Sequence, residues 1–219
     1  MIRRLAVCAL LALGRVTVAE AQALPYPSLQ SPVIAVRDYT VAVVGGSGTS
    51  AVAQWREGLG TGRQFAVEAG FSTPARGVAP LVFVAASVAK ALQVTSPDVP
   101  LAFAATAGLG LAAGGGSSVV RMPVGVSVGR TITTDEGTIT PYVHPRLTFE
   151  ACDGDVCRNR NRYQSGVSLD LDVGAVWQVN PRFAIRAALG FTGSSALPSG
   201  TTLATGVTWT PPALAGKGR

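Results

Sequence analysis

His144 is the only histidine of the 219-residue chain and so its only imidazole available as a general base. A nucleophilic site would need it beside a hydroxyl and an orienting carboxylate. Its neighbours at two-residue spacing are Tyr142 and Arg146, so no serine stands next to it. Ser168, with Asp170 and Asp172 in GVSLDLDVGAVW, could approach it from a following segment. Cys152 and Cys157 bracket CDGDVC, with four residues between them, a spacing that suits a local disulfide pinning a loop in an oxidising compartment. Asp153 and Asp155 lie between the cysteines, but no histidine or second cysteine pair is near, and the loop lacks a calcium-binding pattern. No metal site and no cofactor is expected. Arg158, Arg160 and Arg162 alternate with asparagines immediately afterwards, forming a basic loop suited to anionic phosphates.

The elements that must position these residues alternate with period two. Strands are expected at 62–72, 81–94, 100–113, 118–132, 139–151, 164–179, 182–192 and 201–210, separated by Gly, Pro, Ser, Asp and Asn. VRDYTVAVVGG, a GSGTS turn and AVAQWREGL form one further hairpin, because Tyr39, Val41 and Val43 alternate with Thr40 and Ala42; the other reading makes residues 24–60 a flexible or plug-like lead-in. The count is therefore eight to ten, and ten is preferred.

One face of each strand is large and apolar, the other small or polar. Phe65, Val67, Ala69 and Phe71 oppose Gln64, Ala66, Glu68 and Gly70; Phe183, Ile185, Ala187, Leu189 and Phe191 oppose Ala184, Arg186, Ala188 and Gly190. That is a barrel turned inside out relative to a soluble core, with lipid outside. The fold class is all-β, an up-and-down antiparallel transmembrane β-barrel. Asn180-Pro181 makes a tight turn, assigned to the periplasm, while residues 152–163 form a long external loop.

The charges then fall inside the barrel. Glu68, His144, Arg146, Glu150, Asp170, Asp172 and Arg186 form an expected luminal network, which Arg121 can join, with Arg182 at the rim. A narrow lumen desolvates its charges, so they must be paired or hydrated. Arg186 is expected near Asp170 or Asp172, and Arg146 near Asp170.

Arg3 and Arg4 precede an apolar run from Leu5 to Gly14, and Ala21-Gln22-Ala23 supplies a cleavage pattern, so residues 1–23 are read as a signal peptide. Its removal takes Arg3, Arg4, Arg15 and Glu20 and lowers the formal charge from +6 to +4. That excess is too small and scattered for nucleic-acid binding. Residues 24–210 make the barrel, and 211–219, opened by two prolines, a short periplasmic tail.

YVHPRLTFEA and its long loop, GVSLDLDVGAVWQVNPRFAIRAALGF and the closing TTLATGVTW together resemble the small bacterial outer-membrane β-barrel superfamily, the outer-membrane protein A-like barrels, over most of the mature chain. Members end on a strand with a terminal aromatic residue that the barrel-insertion machinery reads; here ten residues follow Trp209. With 6% aromatic residues, the interfacial girdles are expected to be thin.

The resemblance implies the outer membrane of a Gram-negative-type bacterium, with outer-membrane lipid, lipopolysaccharide and the insertion machinery as partners. The function expected is a non-enzymatic, porin-like integral barrel of the cell envelope with at most a narrow pore. A secreted lipocalin-like barrel is the first alternative, disfavoured because Lys90 and Lys217 are the only lysines. A lipid-modifying enzyme is the second, and it needs Ser168 and His144 in contact.

Overall fold

The computed structural model describes residues 29–74, 77–92, 100–159 and 162–212. The signal-peptide assignment lies outside the described residues, as does most of the tail. The strands are β1 (Arg37–Gly45), β2 (Thr49–Gly58), β3 (Arg63–Thr73), β4 (Leu81–Leu92), β5 (Ala102–Gly114), β6 (Ser117–Gly129), β7 (Ile132–Thr134), β8 (Gly137–Asp153), β9 (Gln164–Asn180), β10 (Phe183–Ser194) and β11 (Gly200–Trp209). Each pairs antiparallel with its neighbours, and β1 pairs with β11, so the sheet closes and leaves no edge. Ten strands make the wall. The short β7 continues the line of β6 against β8, giving eleven segments in all.

The N-terminal hairpin expected at β1 and β2 thus belongs to the wall and sets the count at ten. The plug-like reading survives for a shorter piece: Leu29, Gln30, Ser31 and Pro32 are buried, held by luminal side chains. Ser127 Oγ donates to the Gln30 carbonyl at 2.8 Å, and Arg186 Nη1 to the Leu29 carbonyl at 3.1 Å.

Prolines account for the interruptions of the wall. The β5–β6 ladder skips Pro123, and the β6–β8 ladder skips the step at Pro145, because neither residue carries an N–H to give. The β5–β6 turn needs its glycines, since Gly115 and Gly116 adopt φ of 54° and 76°, where a Cβ is strained.

Alternation is strict along the longer strands. On β9, Leu169 is 69% exposed and Asp170 fully buried. Val167 and Trp177 both face outward, ten residues apart; at about 3.3 Å per residue and a tilt of about 40° they span roughly 25 Å, the height of a lipid-facing band. Tyr39, Trp55, Trp177, Phe183 and Trp209 lie outward near the end that carries both ends of the described chain, called here the terminal end. All three tryptophans are in that belt, and Tyr39 and Trp209 meet across the β1–β11 closure with ring centroids 5.7 Å apart. Aromatic side chains of this amphipathic kind settle where hydrocarbon meets headgroups. The belt is therefore fuller at the terminal end than composition alone suggests.

The opposite, distal end is closed by apolar packing. Val156, between the two cysteines, is fully buried with Ala196 and Leu197 against Leu81, Phe83 and Val119. Cys152 and Cys157 are disulfide-bonded, which folds this loop back over the lumen.

Candidate functional site

The lumen between these two ends holds four arginines, five carboxylates and His144, all buried. They divide into two clusters by the strands that carry them.

The first cluster stands on β6, β8 and β9. Arg121 Nη2 donates to Asp170 at 2.9 Å, and its Nε lies 3.5 Å from Glu150. Asp170 also accepts from Thr148 Oγ1 at 2.7 Å and Ser168 Oγ at 3.1 Å. Ser194 donates to Glu150 from β10 and takes the Leu197 N–H at 2.8 Å, linking the network to the distal loop. Arg146 is opposite Asp170 in register, near it as expected, and donates to the diagonal Asp172 at 2.7 Å. His144 Nδ1 lies 3.5 Å from Asp172, and its Nε2 shares a hydrogen bond with Thr106 Oγ1 at 2.9 Å. Gly174 leaves room for Tyr142, since a Cβ there would collide with the ring.

Carboxylates desolvated this completely are tolerable only when surrounded by donors, and Asp170 has three. That accounts for two acids one residue apart in an apolar strand: both point inward to arginines, while Leu169, Leu171 and Val173 point to lipid.

The second cluster spans the closure. Arg56 on β2 grips Asp38 on β1 with two guanidinium nitrogens, and Arg186 on β10 approaches the same carboxylate at 3.5 Å. Arg186 Nε donates to Thr208 at 2.7 Å, and Thr208 in turn meets Thr40 at 2.7 Å. Arg186 therefore does not join Asp170 or Asp172; Gly190 and not Arg186 is opposite Asp172, and the guanidinium turns the other way across β11. Asp38 and Arg56 were missed in the sequence because their hairpin was read for its apolar face. Their signal was the phase, since Asp38 alternates with Tyr39 and Arg56 shares a face with Gln54. Glu68, on β3, accepts from Gln54 Nε2 at 2.6 Å.

The serine–histidine pairing required by the enzymatic alternative is not formed. Ser168 is opposite Thr148, two luminal positions along β8 from His144, and its hydroxyl is committed to Asp170. Thr106, His144 and Asp172 have the order of hydroxyl, base and acid, yet His144 is fully buried and does not line the cavity at the terminal end of the lumen. A buried histidine held by Thr106 beside the Asp172 carboxylate is the simpler account of that geometry.

Of the basic loop, Arg158 and Arg162 are exposed, and Arg160 lies outside the described residues. Arg158 Nη1 leans on the Ser194 carbonyl at 3.4 Å, so this loop and the β10–β11 loop share the distal surface.

No protein-family model and no curated protein matches the chain. Among solved structures it is similar to the NanC porin, with a TM-score of 0.50 and 10% identity over 80% of this chain and 100% of that one. It is also similar to the KdgM porin (TM-score 0.39, 8% identity, 80% and 99% covered) and to the N-terminal β-barrel domain of Pseudomonas aeruginosa OprF (TM-score 0.36, 9%, 79% and 95%). Identity this low speaks of fold and not of activity. A closed ten-stranded wall, apolar outside and charged within, with an aromatic belt at one end, has the fold of the small bacterial outer-membrane β-barrels.

Proposed function

We propose that the protein is a non-enzymatic integral barrel of the Gram-negative-type outer membrane, with its terminal end in the periplasm, serving the envelope in a structural or surface role. The observation that carries this reading is the filled lumen. Charged side chains are paired across its middle, residues 29–32 enter from the terminal end, and Val156, Ala196 and Leu197 cover the distal end. Ion flow would have to break several buried pairs at once, each held in a low-dielectric interior. In this reading the lumen stiffens the barrel, and the exposed Arg158 and Arg162 face outward, where lipopolysaccharide phosphates are the natural anionic contact.

The test has two parts. Cells expressing the full chain are fractionated, and the outer-membrane fraction is run on a gel with and without boiling; heat-modifiable migration is expected, and a soluble periplasmic protein would sink the reading. The purified barrel is then placed in a planar bilayer. No steady single-channel conductance is expected, and an ohmic open channel at low voltage would show that the lumen conducts.

A further inference from the structure

A cavity of about 590 Å3 lies at the terminal end, between the inserted N-terminal segment and the ends of β8 and β9. Its size suits a small organic molecule. Its walls differ in chemistry: Val33, Val36 and Val176 line it with hydrocarbon, while Arg37, Asp38, Arg56 and Arg186 supply charge.

The charges do not balance. Arg37 is taken by Glu57 through two hydrogen bonds of 2.6 and 2.7 Å, which leaves the buried Arg56 and Arg186 to share the one carboxylate of Asp38. Arg56 Nη1 has no hydrogen-bond partner among the described residues. A guanidinium stays charged throughout the physiological pH range, so this surplus is relieved by an arriving anion and not by loss of a proton. The valines beside it ask for an aliphatic body behind the charged head.

We propose that this vestibule binds a small amphipathic anion, a carboxylate on a short aliphatic chain, entering from the side that carries the chain ends. The carboxylate meets the Arg56–Arg186 pair, in competition with Asp38, and the chain lies along Val33 and Val176. Val33, Val36 and Arg37 stand at the exposed rim, where Arg37 attracts the anion without being required to hold it.

Sodium hexanoate is the probe, because it stays monomeric in water. The full-length barrel in nanodiscs is titrated with hexanoate, hexylammonium and inorganic phosphate, followed by ligand-observed NMR with empty nanodiscs as the blank. Saturable hexanoate binding is expected, with hexylammonium and phosphate each weaker by at least about ten-fold. Val176→Trp fills the cavity without removing a charge and should lower hexanoate affinity about ten-fold or more while keeping heat-modifiable migration. If that variant fails to fold, Val33→Trp, on the segment outside the wall, makes the same test. Equal binding of hexylammonium overturns the anion selectivity, and equal binding of phosphate overturns the amphipathic ligand. Undiminished hexanoate binding by the folded cavity-filling variant overturns the site itself.

Discussion

Arg121, Arg146, Glu150, Asp170 and Asp172 stand on strands that neighbour one another in the sheet, whereas Asp38, Arg56 and Arg186 join the first two strands to the tenth. The first cluster is carboxylate-rich and sealed at mid-lumen. The second is arginine-rich and borders a cavity. The two clusters do separate physical jobs. The first can assemble as its strands pair with one another, so it stiffens one arc of the wall. In the second, Asp38 and Arg56 pair within the β1–β2 hairpin, but Arg186 reaches them only when the chain ends meet, so that contact reports closure of the barrel.

Four substitutions separate these jobs. The largest effect is expected at Asp170, since Asp170→Ala takes from Arg121 its nearest carboxylate and removes an acceptor from Thr148 and Ser168 in a fully buried place. A loss of about 3–5 kcal/mol is expected in denaturant unfolding from lipid vesicles. The next residue tests whether that loss belongs to the charge network or to the strand. Leu171→Arg puts a charge on the lipid face near mid-band and should cost about 2–4 kcal/mol, with a dependence on bilayer thickness that Asp170→Ala lacks.

Asp38→Ala comes third, at about 2 kcal/mol, because the arginines it strands lie beside a cavity that water can enter. Unheated gels should nevertheless show more open form for Asp38→Ala than for Asp170→Ala. The reverse order would break the assignment of the second cluster to closure. Smallest is Arg158→Gln, on the exposed distal loop, which should change stability by less than about 0.5 kcal/mol. In pull-down on lipopolysaccharide it should lower retention, and unaltered retention would remove that loop from the proposed partner surface.

Much of the wall was legible in the sequence. The expected strands coincide with β3–β6 and β8–β11 within a few residues, and the N-terminal hairpin has the predicted phase. A membrane barrel imposes this legibility: lipid on one side and a crowded lumen on the other force the period-two contrast along every strand. The inward phase of Glu68, His144, Arg146, Glu150, Asp170, Asp172 and Arg186 followed from the same rule. Their partners did not. Arg146 chooses Asp172 diagonally, and Arg186 turns away from β9 toward Asp38. A long arginine reaches several positions from one Cα, so phase alone leaves its partner open.

What the sequence determined by itself is which side of each strand meets lipid, and with it the class of fold, because that choice depends only on residue type and alternation. The tertiary structure decided how the circle closes, through the pairing of β1 with β11, and so brought Arg186 to the Asp38–Arg56 pair of the first hairpin. It also decided that residues 29–32 lie in the lumen and that the disulfide loop covers the distal end. These are contacts between segments far apart in the chain. They exist only once the barrel fixes its radius and stagger, which no single strand carries in its own pattern.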